Sequence, residues 1–128
     1  MELDYNKLLD MVSEMGYRLM KSGAEIYRVE ESIQRLLQAY GAPRGEVFAI
    51  PNCLMVSLTS PDGRPVTQIR RMPTHGTDIY LLEKYNGLCR RLCRETPAFE
   101  EALEQMEAIT FLMETLLVQA EVHKNTII

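Results

Sequence analysis

Five charged residues, Glu25, Arg28, Glu30, Glu31 and Arg35, form the densest polar cluster in the chain. Arg28 is three positions from both Glu25 and Glu31, so on a helix one guanidinium reaches two carboxylates. Glu31 and Arg35 are four apart with the acid first, the favourable orientation, and such a pair contributes about 0.2–0.5 kcal/mol. A set of this kind either ties a helix surface together or offers an exposed cation between carboxylates. The second arrangement suits a zwitterion or a partner chain. Spacing alone favours the first use; for the second, the candidate substrate- or partner-binding residues are Glu25, Arg28, Glu30 and Glu31.

Other reactive residue types are scattered. Ser57, His75 and Asp78 are the types of a hydrolytic triad, and they motivate a small hydrolase as the alternative reading. Ser57 lacks a Gly-x-Ser-x-Gly elbow and falls inside an expected strand. Cys89 and Cys93 share a helical face, but Cys53, His75 and His123 lie too dispersed to complete a metal set, so reduced thiols packing as small hydrophobes are expected. No phosphate-cradling glycine loop is present, and no cofactor is expected. Arg70-Arg71 and Arg90-Arg91 with Arg94 are basic spots, suited to a solvated face or to anionic headgroups.

The elements that must position these residues change period along the chain. Asp4 caps an expected helix to about Met20, with Leu8, Leu9, Val12, Met15 and Leu19 as its stripe. Ser22-Gly23 breaks it, and Ser22 with Glu25 reads as a capping box for a second helix carrying Ile26, Val29, Ile33, Leu36, Leu37 and Tyr40. The break allows a helical hairpin or one kinked helix; Gly41 ends the second segment. Strands are expected over Val47–Ile50, Cys53–Thr59 and Val66–Met72. Ser60-Pro61-Asp62-Gly63-Arg64-Pro65 is the turn of an antiparallel hairpin. Thr77 or Asp78 caps a third helix with Ile79, Leu82, Tyr85, Cys89, Leu92 and Cys93 on one side. Thr96-Pro97 reads as the start of a last helix, using Phe99, Leu103, Met106 and Ile109 and running towards Val122. The fold class is therefore α+β: two N-terminal helices, a small antiparallel sheet of about three strands, and two C-terminal helices.

The 128 residues suit one domain, 1–128, and 46% apolar with 25% charged residues is a globular composition. A net charge of −4 disfavours nucleic acid as a partner. Three cysteines and no apolar leader fit a reducing, cytoplasmic location. The longest apolar stretch, Ile109–Val118, is interrupted by Glu114 and is far short of the roughly 20 residues a membrane span needs. Phe111, Leu112, Leu116, Leu117 and Val118 exceed what one small core covers, so an exposed apolar face and a homo-oligomer are expected.

Ser22-Gly23-Ala24-Glu25-Ile26-Tyr27-Arg28-Val29-Glu30 resembles the Gly-x-Glu-x-x-Arg-Val-Glu signature of the threonine/serine exporter family's N-terminal domain. The order continues with Gly41, Phe48-Ala49-Ile50-Pro51, Leu54 to Thr59 and Ile69-Arg70-Arg71. Asp78, Leu82, Asn86 and Leu88 follow on one helix, and Glu100 to Leu103 complete the match. The likeness covers about residues 5–109 and leaves 110–128 as an amphipathic extension; Pro51-Asn52 departs from the family's Pro-Thr. The resemblance implies a bacterial-type transporter part at the cytoplasmic face of the membrane. Its partner would be a transmembrane domain or a separate membrane subunit, and its role would lie in assembly, gating or substrate access for small amino acid or related organic acid export. It carries Gly23, Glu25, Arg28 and Glu30 as signature residues.

Overall fold

Helix α1 (Tyr5–Lys21) starts at Asp4, whose Oδ1 accepts from the Lys7 amide at 3.1 Å and satisfies an orphan donor of the first turn. The computed structural model describes residues 3–73 and 76–126. α1 closes on Gly23, at φ 100°: the Gly23 amide donates to Met20 O and the Ala24 amide to Leu19 O, both at 3.0 Å. This is a Schellman turn, and it separates α1 from α2 (Ile26–Ala39) as two distinct helices. It also overturns the expected capping box. Ser22 is the C-cap of α1 and its hydroxyl donates back to Arg18 O at 2.8 Å, while Glu25 takes the N-cap position of α2 without a side-chain bond. The glycine's positive φ stands between the two residues and assigns them to different helix ends. α2 ends in a second Schellman turn at Gly41, φ 90°, with Ala42 N–H bonded to Leu37 O at 2.7 Å.

Three strands follow as an antiparallel meander in the order β1 (Glu46–Ile50), β2 (Cys53–Thr59), β3 (Pro65–Arg71). The 60–65 turn forms as its residues demand, with Ser60 N–H to Arg64 O at 2.9 Å and Gly63 N–H to Ser60 O at 2.9 Å. The third strand runs one residue earlier than Val66–Met72, because Pro65 already pairs with Thr59. Alternation sends Leu54, Val56 and Leu58 into the core. The other face carries the registered row Phe48, Met55 and Ile69, all exposed.

α1 and α2 lie on the inner face of the sheet, and α3 (Ile79–Glu95) and α4 (Phe99–Thr126) lie on α1 and α2. α1 is thus sandwiched, and its buried surface widens beyond the expected stripe to include Met11, Ser13, Gly16 and Met20. Asp78 caps α3 by accepting from the Leu81 amide at 3.1 Å. The α3 core face is Tyr85, Leu88, Cys89 and Leu92; Ile79, expected there, is 71% exposed, while Leu81 and Leu82 of the same turn pack against the core. Thr96 does not cap α4. It is the left-handed C-cap of α3, at φ 39°, and its amide bonds to Leu92 O at 2.9 Å. Pro97 precedes α4, and its carbonyl accepts from the Tyr40 hydroxyl at 2.7 Å.

Ala102 and Met106 anchor the first half of α4 in the core. Beyond them the helix leaves the body of the domain. Phe111, Leu112, Leu116, Leu117, Val118 and Val122 are between 50% and 71% exposed, the apolar surplus anticipated above. Among the described residues, no helix is long and apolar enough to cross a membrane.

Candidate functional site

The charged cluster on α2 is divided by the fold. Glu25 is exposed at the N-cap and lines a recess of about 550 Å³ with Ala24, Pro51, Asn52 and Met72. The signature glutamate and the Pro51-Asn52 position thus share one hollow, although 27 positions separate Asn52 from Glu25 in the chain.

Glu30 faces the sheet. Its Oε2 accepts from the Ala49 amide at 3.3 Å, and Gln34, one turn on, donates through Nε2 to Gly45 O at 3.0 Å. These two side chains tie α2 to β1 and to the residue that precedes it.

Arg28 is exposed. Its Nε donates to the Tyr27 hydroxyl at 3.2 Å, with the guanidinium 5.6 Å from the Tyr27 ring centroid. The expected bridge between Glu25 and Glu31 does not form: among the described residues Arg28 makes no ion pair. Glu31 is taken by Arg35, and Glu25 lies over the other recess. The Tyr27 hydrogen bond, then the attraction of Tyr27, Glu25 and Glu31, raises the Arg28 pKa. Arg28 and Glu31 instead line a groove of about 580 Å³ between α2 and α3, facing Arg35, Arg90, Cys93 and Arg94.

Cys89 is buried as a small hydrophobe, as expected, with its thiol donating to Ser32 O at 3.9 Å. Cys93 departs from that expectation and is half-buried on the groove wall. The hydrogen bond from Cys89, opposed by burial and aided by the Arg35 charge, holds the Cys93 thiol down at about 7; the same bond and burial push Cys89 up. No group of three or more His, Cys, Asp or Glu side chains is placed to hold a metal among the described residues.

Two of the hydrolase residues are engaged elsewhere. Ser57 Oγ is hydrogen-bonded to Thr67 Oγ1 across the β2–β3 ladder at 2.8 Å, and Asp78 is spent on its cap. His75 lies outside the described residues.

A second polar centre escaped the sequence reading. Arg18 of α1 is only 14% exposed. Its Nη1 donates to Tyr85 Oη at 3.0 Å, Met106 O at 3.0 Å and Thr110 Oγ1 at 2.9 Å; Nη2 meets Glu107 at 2.7 Å and Nε meets Glu14 at 3.3 Å. Tyr85 and Thr110 are also bonded to each other. Glu14 further accepts from Arg70 of β3 at 3.0 Å, and the Arg70 guanidinium sits 4.3 Å from the Tyr17 ring centroid. One guanidinium thereby joins α1, α3 and α4, and Glu14 extends the network to the sheet. The Glu14–Arg18 spacing was the one local signal; Tyr85 and Thr110 arrive only through the tertiary fold. A cleft of about 450 Å³ opens above this centre, bordered by Lys21, Thr77 and Asp78. These side-chain bonds brace α1 against α3, α4 and the sheet.

A family model described as a putative threonine/serine exporter matches residues 10–115, from within α1 into α4. The chain is also similar to the probable threonine/serine exporter of Mycobacterium tuberculosis (strain ATCC 25618 / H37Rv), with 28% identity over 110 residues. That alignment covers 85% of this chain and 21% of the relative, so the chain spans about a fifth of the length of the protein it matches. No solved structure matches.

Proposed function

Because the chain belongs to the threonine/serine exporter family, we propose that it is the cytoplasmic-face domain of such an exporter, docking on a membrane part and contributing to assembly, gating or substrate access. Family membership also argues for a transporter rather than an enzyme. The observation that carries the docking role is the exposed apolar segment of α4, from Phe111 to Val118, whose large side chains ring the helix. Small amino acids are the cargo in this reading, and the membrane part supplies the pathway, either as a transmembrane domain or as a separate subunit.

The same apolar segment of α4 makes the isolated domain self-associate, most simply as a two-fold dimer. Sedimentation equilibrium should return a dimer at high protein concentration, and Leu116→Glu with Leu117→Glu should return a monomer with an unchanged melting temperature. A wild-type domain that stays strictly monomeric would count against the docking role.

Arg28 is the residue proposed to make a functional contact, because it is exposed and, among the described residues, its side chain is bonded only to its neighbour Tyr27. Arg28→Ala should leave the melting temperature of the domain unchanged and lower threonine export several-fold in the intact exporter. Glu25→Gln should leave folding untouched too, since the carboxylate makes no cap bond. Full export by a normally folded Arg28→Ala variant removes Arg28 from the mechanism.

A further inference from the structure

The groove between α2 and α3 concentrates positive charge on a chain whose net charge is −4. Four arginines, Arg28, Arg35, Arg90 and Arg94, line it against one carboxylate, Glu31, which is already paired with Arg35. Among the described residues Arg28, Arg90 and Arg94 make no ion pair. Like charges gathered on one wall repel one another, and acidic residues are plentiful elsewhere in this chain to neutralise them. The fold instead leaves these three cations facing a hollow of about 580 Å³, large enough for a small molecule or a headgroup.

We propose that this groove is an anion site for a phosphate-bearing ligand, held by Arg28, Arg90 and Arg94. Guanidinium is the chemistry suited to that ligand: it stays charged, and its planar fork gives two parallel N–H donors to a pair of phosphate oxygens. Asn86 adds an uncharged polar group to the same wall. The phosphate comes either from a soluble phosphorylated compound or from an anionic lipid headgroup at the membrane surface. The site is separate from the exposed apolar segment of α4, and it stands or falls without the docking role.

Two probes distinguish the sources. Inorganic pyrophosphate is titrated calorimetrically into the purified chain. In parallel, the chain is sedimented with vesicles of equimolar phosphatidylglycerol and phosphatidylcholine, and with phosphatidylcholine vesicles alone. Arg90→Gln with Arg94→Gln should weaken binding about tenfold or more in whichever arm binds, at an unchanged melting temperature. Arg44→Gln with Arg71→Gln removes the same charge from elsewhere on the surface and should leave binding near wild type. Pyrophosphate binding assigns a soluble ligand; binding only to the phosphatidylglycerol vesicles assigns a headgroup. Binding in neither arm overturns the proposal, as does equal weakening by the two double variants, which would reduce the effect to net charge.

Discussion

Gly23→Val is expected to destabilise the domain by about 2–6 kcal/mol, combining roughly 1–3 for a β-branched residue at strongly positive φ with roughly 1–3 for overpacking. Gly23 sits at φ 100°, and a Cβ there would lie 2.8 Å from Thr77 Oγ1 and 2.9 Å from Thr77 Cα. The backbone atom cannot rotate out of the way. The Asp78 amide is also bonded to Ser22 O at 3.0 Å, so the α1–α2 corner and the start of α3 are locked in close approach. Thermal melts should show a fall of about 7–22 °C for a domain of this size. Gly41→Val is the internal control. Gly41 has φ 90° and occupies the same place in its own Schellman turn, but nothing lies within 4 Å of its added Cβ. It should lose only the conformational part. Equal losses at the two sites would mean that the contact with Thr77 contributes nothing.

Arg18→Met should cost about 2–4 kcal/mol, below the full penalty for breaking a buried ion pair because part of the network is wet. Glu107 is 74% exposed, and its ion pair contributes little, about 0–1 kcal/mol. The loss comes from the buried end, where Tyr85 Oη and Met106 O lose their shared donor. Methionine keeps the aliphatic stem, so packing is largely conserved. Arg18→Lys retains charge but not the fork and should recover only part of the loss. Amide hydrogen exchange should accelerate first around Met106–Thr110, where the guanidinium holds α4. A melting temperature within about 2 °C of wild type for Arg18→Met would show that the network is ornamental.

The local features were legible because their causes are local. Asp4 and Asp78 cap, the 60–65 turn closes its hairpin, and the helical stripes follow their spacing. The Ser22-Gly23 break was legible as a break. Its ownership was not, since the glycine's φ decides which helix Ser22 serves. The division of the α2 cluster was available from helix geometry. At about 100° per residue, Arg28, Glu31 and Arg35 fall on one side and Glu30 with Gln34 on another. Read as a line of charges, the cluster looked like one site; read as a cylinder, it is two surfaces and a cap position. Which neighbours meet those surfaces, α3 on one and β1 on the other, depends on the order in which the layers stack. The same holds for Arg18, whose partners Tyr85, Met106 and Thr110 lie 67 or more positions away.

The length of α4 makes it a mechanical part. Its first dozen or so residues are clamped by Ala102, Met106 and the Arg18 bonds to Met106 and Thr110. The remainder, from Phe111 to Thr126, projects as a rod of about 24 Å at 1.5 Å per residue. Arg18 is the fulcrum of that lever. A rotation of about 10° at the clamp would sweep the far tip through roughly 4 Å, so an adjustment of less than one bond length around Arg18 is magnified several times at the other end of the rod.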